Sequence, residues 1–172
     1  MFDKGNMIRL KRIKQKALEK DVELNPVVPI EAIREFEMRS GIAFPEELVG
    51  FYTMVGNGGK MFGGYPQKSL KKFEDLKIDI GKTKEEFPFT EYWVWEDEEG
   101  DADLSGVGNG NIELIDIGDA QTWNIIVTGK ERGQMWIFSD VGIEPCAPKR
   151  DFLSWYEYWL DGNDDYFAEF EG

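Results

Sequence analysis

Three apolar, β-like runs, residues 112–117, 123–128 and 134–139, follow one another with only a few residues between them. A parallel pair of strands needs a crossover of a dozen or more residues, and neither Gly118-Asp119-Ala120 nor residues 129–133 can supply one. Both connections hold the glycines of tight turns, and the first adds Asp119. This half of the chain is therefore read as an antiparallel meander. Helical patterns come before it and one more follows, an order that belongs to the α+β class.

The first helical pattern sets Met7, Leu10, Ile13 and Ala17 at steps of three and four among Lys11, Arg12, Lys14 and Lys16. It is a short basic amphipathic helix whose stripe is expected to lie on the chain's own acidic remainder. Pro26 and Pro29 mark an extended linker. Residues 1–27 are accordingly read as basic helix and linker, 28–162 as the domain proper and 163–172 as an acidic tail. Ile30, Ile33 and Phe36 define a second helix that ends at Gly41. Pro45, Glu46 and Glu47 open a third, with Leu48, Phe51, Tyr52 and Val55 as its buried stripe and Gly56 as its stop. Asn57-Gly58-Gly59 is a turn, residues 60–63 a short strand, and Leu70, Phe73 and Leu76 a further short helix. Residues 92–95 read as a strand, and the acidic, glycine-rich stretch 96–110 as a long, partly mobile loop. Asp151 caps a closing helix whose face is Phe152, Trp155, Tyr156, Trp159 and Leu160, ending at Gly162.

The 172 residues include no histidine. That removes Ser-His-Asp and Cys-His nucleophilic systems, HExxH zinc sites and the commonest neutral-pH base, so the chain is expected not to be an enzyme and to need no metal or cofactor. Cys146 is the single cysteine; it is read as a buried structural thiol in a reducing compartment. Gly56-Asn57-Gly58-Gly59-Lys60-Met61 lacks the serine or threonine and the preceding strand of a phosphate loop. Gly106-Val107-Gly108-Asn109-Gly110 lacks the dinucleotide spacing, and the loop at Asp161 has Tyr166 where a calcium loop requires glycine. With 34 acidic residues, paired carboxylates carry no information. No run nears the roughly 18 apolar residues of a membrane span, and the first 20 residues are charged where a signal peptide is apolar. A cytoplasmic location is expected.

Charge narrows the partner. Residues 1–20 carry seven Lys/Arg against two Asp/Glu, whereas the remainder carries 13 against 32, for a net charge of −14 overall. So acidic a surface repels nucleic acid and favours a basic protein. The segment that combines aromatic anchors with acids is Trp93, Trp95, Glu96, Asp97, Glu98, Glu99 and Asp101, the first choice for a contact. Asp119 and Trp123 are the second. Strand burial on one face would equally explain Trp93 and Trp95, a solvated loop the acids, and a turn acid with a core indole the second pair.

The order and spacing of several short pieces resemble the SMI1/KNR4 family, also called the SUKH superfamily. They are Ile33 to Gly41 with Pro45, the helix ending in Gly56-Asn57-Gly58-Gly59, and Ile117-Gly118-Asp119. The run from Gly129 through Gly133-Gln134-Met135-Trp136 to Asp140, and the closing Phe152-Leu153, complete the likeness, which spans roughly Val28 to Leu160. It implies an α+β fold with a central, mostly antiparallel sheet flanked by helices. It also implies an immunity protein that neutralises a cognate polymorphic toxin, for instance a nuclease, by direct binding. The alternative it carries is a non-catalytic regulator or scaffold in signalling or cell-wall synthesis. No contact residue transfers with the resemblance.

Overall fold

A computed structural model describes residues 2–170, so Glu171 and Gly172 of the acidic tail lie outside the described residues. Asp3 starts the first helix by accepting from the Asn6 amide at 2.7 Å, a side-chain cap for an otherwise unpaired donor. Helix α1 then runs Lys4–Glu19 with Leu10, Ile13 and Ala17 buried. Helix α2 (Ile30–Ser40) ends on Gly41, whose φ of 78° allows its amide to reach back to the Glu37 carbonyl at 2.8 Å. Helix α3 (Glu46–Gly50) follows Pro45 and widens into a π turn at Phe51–Val55, so its buried stripe runs on to Val55 without a continuous α-helix.

The glycine-rich turn after that stripe is a crossing point of backbones. Strand β1 (Gly59–Lys60) pairs with β2 (Ser69–Leu70), and Leu24 bridges to Gly59 from the other side. A Cβ on Gly59 would lie 2.2 Å from the Glu23 carbonyl oxygen, and one on Gly58 2.4 Å from that of Leu70. No side chain fits there. The Asn57 side chain fixes the same crossing by accepting from the Phe73 amide at 2.7 Å and donating to Glu74 at 2.9 Å. Because Leu70 is drawn into β2, the expected helix over 70–76 shrinks to a 3-10 turn at Phe73–Asp75, although Leu70 is still buried and Phe73 and Leu76 pack on the core. The short strand expected over 60–63 likewise ends at Lys60, where Phe62 takes a positive φ of 54°.

Helix α4 (Ile80–Lys84) comes next, and of the strand expected over 92–95 only β3 (Trp93–Val94) forms, followed by a 3-10 turn at Trp95–Asp97. The meander is β4 (Asn111–Gly118), β5 (Gln121–Ile126), β6 (Met135–Phe138) and β7 (Gly142–Pro145). Every pairing is antiparallel, and the five-stranded order is β3-β7-β6-β5-β4. The fourth meander strand, β7, completes what three sequence runs had suggested, and β3 returns to pair with its free side. Helix α5 (Phe152–Leu160) starts at Asp151, which accepts from Ser154 at 2.9 Å. The fold is α+β.

The sheet's two faces differ. On one, Ile112, Leu114, Trp123, Ile125 and Met135 join a single large core with α1, α3 and α5. On the other, Ile126, Trp136 and Ile143 are covered by Phe87 and by the irregular chain between α4 and β4. Helix α1 is fastened to α5 by charge. Arg9 pairs with Asp151 at 2.5 Å, Arg12 grips Glu157 in a fork at 2.6 and 2.7 Å, and Lys16 bridges Glu157 and Asp161 at 2.9 and 2.8 Å. The Lys20 ammonium donates to the Leu160 carbonyl. Residues 1–27 thus share a core with residues 28–162. Among the described residues no helix is long and apolar enough to cross a membrane.

Candidate protein-binding face

The second face of the sheet builds outward as a chain of rings. Trp136 is fully buried on β6; Phe87 meets it edge-on at 5.0 Å, Phe89 meets Phe87 at 5.3 Å, and Trp93 stacks on Phe89 at 5.5 Å. Trp95 meets Trp93 edge-on at 5.4 Å and lies, like Trp93, half-buried at the surface. Strand register explains the alignment: Trp93 faces Ile143 across β3 and β7, and Ile143 faces Phe138 across β7 and β6. The strand is only two residues long, so the shared face of the two tryptophans is set by the turn beginning at Trp95 as much as by strand alternation.

Hydrogen bonds lock both indoles. Trp93 Nε1 donates to Glu98 Oε1 at 2.8 Å, and Trp95 Nε1 donates to the Asp140 carbonyl at 2.9 Å. Glu96, Asp97, Glu98, Glu99 and Asp101 all reach solvent beside them. Residues 85–110 hold nine Asp/Glu and no Lys/Arg. Among the described residues none of these acids takes part in an ion pair, so their charges stand uncompensated around an apolar centre. Of the seven residues of the first choice, Trp93 touches Trp95 and Glu98, and the other four are exposed in the chain that follows.

Asp119 and Trp123 are elsewhere. Asp119 sits in the two-residue β4–β5 hairpin turn with φ of 54°, next to Ala120 with φ of 60°, at the opposite edge of the sheet from β3. Trp123, 3% exposed, lies on the helix-covered face, stacked on Phe167 at 5.7 Å and close to Tyr166 and Trp155. It borders a cavity of about 390 Å³ whose rim holds Lys68 and Asp164. Asp119 and Trp123 do not extend the surface of Trp93 and Trp95. Sequence reading missed Phe89, Phe138 and the Asp140 carbonyl. Phe87 and Phe89 flank a proline and belong to no expected element, and a backbone acceptor leaves no trace in residue type.

Directly next to β3 is a groove of about 430 Å³. It is lined by Thr90 to Tyr92, Pro145 to Ala147, Lys149 and Glu169. Lys149 donates to Glu131 Oε2 at 2.8 Å and to the Thr90 carbonyl at 3.3 Å. Cys146 is 1% exposed, and burial, only partly opposed by Arg150, pushes its thiol up to about 12; it is uncharged at neutral pH. Among the described residues no group of three or more His, Cys, Asp or Glu could hold a metal ion.

Fold and face together define an α+β protein whose antiparallel sheet is closed by helices on one side and presents anchored tryptophans in an acidic field on the other. Compared with family models, curated proteins and solved structures, the chain matches none.

Proposed function

We propose that this chain is an immunity protein that acts in the cytoplasm by binding a basic toxin domain, without catalysis, and blocking its active site or substrate path. The observation that carries the reading is the face of Trp93 and Trp95. Two indoles held in fixed orientations are surrounded by acids that have no cation of their own. Rigid aromatic anchors are typical centres of binding energy, and uncompensated acids speed encounter with a basic surface while penalising acidic partners. A nuclease toxin holds phosphates with basic residues and so presents the complementary charge. The resemblance to the SMI1/KNR4 family points the same way.

No observation favours the scaffold reading. The basic N-terminal helix, which could serve a scaffold as an additional docking element, has Arg9, Arg12 and Lys16 paired with α5. The test is genetic and biochemical. A large toxin gene should flank this one, and co-expression of the chain should restore growth to cells making its killing domain. The double variant Trp95→Ala, Glu96→Lys should fail to do so while remaining folded. If the wild-type chain gives no rescue from that neighbour, the immunity reading is abandoned.

A further inference from the structure

We infer that the pocket between α2, α4 and the β5–β6 connection binds a small organic phosphate, at a site separate from the tryptophan face. The pocket has a volume of about 380 Å³, and its lining includes Ile42, Thr83, Lys84, Val127 and Arg132. In a chain of net charge −14, this lining holds two cations and, among the described residues, no Asp or Glu. Neither cation is in an ion pair among the described residues. Their chain neighbours Glu85 and Glu131 lie outside the lining, and Glu131 already answers Lys149 at 2.8 Å. Arg132 is held in place: its Nε donates to the Val127 carbonyl at 3.0 Å and its Nη2 to the Ala43 carbonyl at 2.9 Å. Nη1 makes no hydrogen bond among the described residues. Lys84 is laid over Gly41, where a Cβ would lie 3.5 Å from its Cδ and 3.7 Å from its Nζ. Thr83 is 3% exposed, and among the described residues its hydroxyl makes no hydrogen bond, which is costly for a buried polar group.

The donor set selects the anion. A carboxylate carries one charge and answers one of the two cations. A phosphate monoester carries roughly −1.5 to −2 at neutral pH and has three acceptor oxygens, enough for Lys84, Arg132 and Thr83 together. The space selects the rest of the ligand. At about 380 Å³ the pocket falls in the range that takes whole small molecules, so inorganic phosphate alone would leave much of it unfilled. Ile42 and Val127, each 3% exposed, supply apolar lining against which a short carbon body can lie.

The experiment is an amide NMR titration of the full-length protein, at constant ionic strength and neutral pH, with glycerol 3-phosphate, inorganic phosphate, acetate and glycerol. Glycerol 3-phosphate should shift the Ile42, Ala43, Lys84, Thr128 and Arg132 amides and saturate. Inorganic phosphate should shift the same amides more weakly, and acetate and glycerol should leave them in place. Lys84→Gln, at an exposed position, should weaken glycerol 3-phosphate about tenfold or more, and Thr83→Val, which keeps the shape of the side chain, about fivefold. Acetate acting as strongly as phosphate would overturn the choice of anion. Inorganic phosphate binding as tightly as glycerol 3-phosphate would overturn the organic body. Shifts that are absent, that scatter over other lysines, or that survive both substitutions unchanged would overturn the site.

Discussion

Trp95 presents part of its ring to solvent while its indole N–H is tied to Asp140 at 2.9 Å and its edge rests on Trp93. A side chain already fixed loses little rotamer freedom when a partner covers it. Trp95→Ala should therefore weaken the proposed toxin complex by about 2 kcal/mol, roughly thirtyfold in Kd, as calorimetric titration would read. Ala120 is a residue in the wrong conformation for its type, with φ of 60° at the second position of a hairpin turn that glycine prefers. Ala120→Gly should raise stability by about 1 kcal/mol, seen as a higher Tm. The sequence made Trp93 and Trp95 visible as a pair because their spacing is that of one strand face. The Asp140 acceptor was not visible, since it lies 45 positions away in the chain and meets Trp95 only because β3 returns to pair with β7.

Helix α1 was legible as an amphipathic stripe, and its seat was foreseen only as the chain's own surface; that α5 provides it depends on Asp151, Glu157 and Asp161 lining up along one side of a helix otherwise read as an aromatic face. Leu10 is fully buried with its methyls against Gly50 of α3, and Leu10→Ala should cost about 3 kcal/mol in chemical denaturation. The ion pairs make the docking pH-dependent. Hydrogen bonds from Arg12, which outweigh burial, and from Lys16 hold the Glu157 carboxyl at about 2, against an ordinary 4.5. At Asp151 burial pushes upward, but the Arg9 and Ser154 hydrogen bonds prevail and its carboxyl is also lowered. A depressed carboxylate stabilises the fold fully above its unfolded value and loses that contribution as pH falls toward the folded one. Acidification from about pH 5 to 2 should thus loosen α1 from α5. The share of Glu157 is about 1 kcal/mol, since the Arg12 side chain is 47% exposed and solvent screens the pair. Thermal melts of Glu157→Gln should show a shallower acid limb than the wild type. Strand β7 escaped sequence reading because Gly142, Ile143, Glu144 and Pro145 carry no alternation of their own, and pairing on both sides makes them a strand.

Across the whole molecule, charge is sorted by role. Three of the seven N-terminal cations, Arg9, Arg12 and Lys16, are answered by acids of α5; the nine acids of 85–110 have no ion-pair partner among the described residues and are exposed. The net charge of −14 attracts a basic partner from a distance, and the uncompensated acids beside the tryptophans add to that field locally. If those acids steer the encounter, the association rate with the proposed toxin domain should fall about tenfold or more between roughly 50 and 500 mM salt, because the Debye length contracts to a few ångströms over that range. The dissociation rate should change far less, since it is governed by the buried rings. Two sets of variants separate the contributions in stopped-flow and surface-binding kinetics. Glu96→Lys, Asp97→Lys and Glu99→Lys combined should slow association and flatten its salt dependence, whereas Trp95→Ala should chiefly accelerate dissociation. An association rate insensitive to both salt and the triple reversal would mean that the acids serve solubility alone and that recognition belongs to another surface.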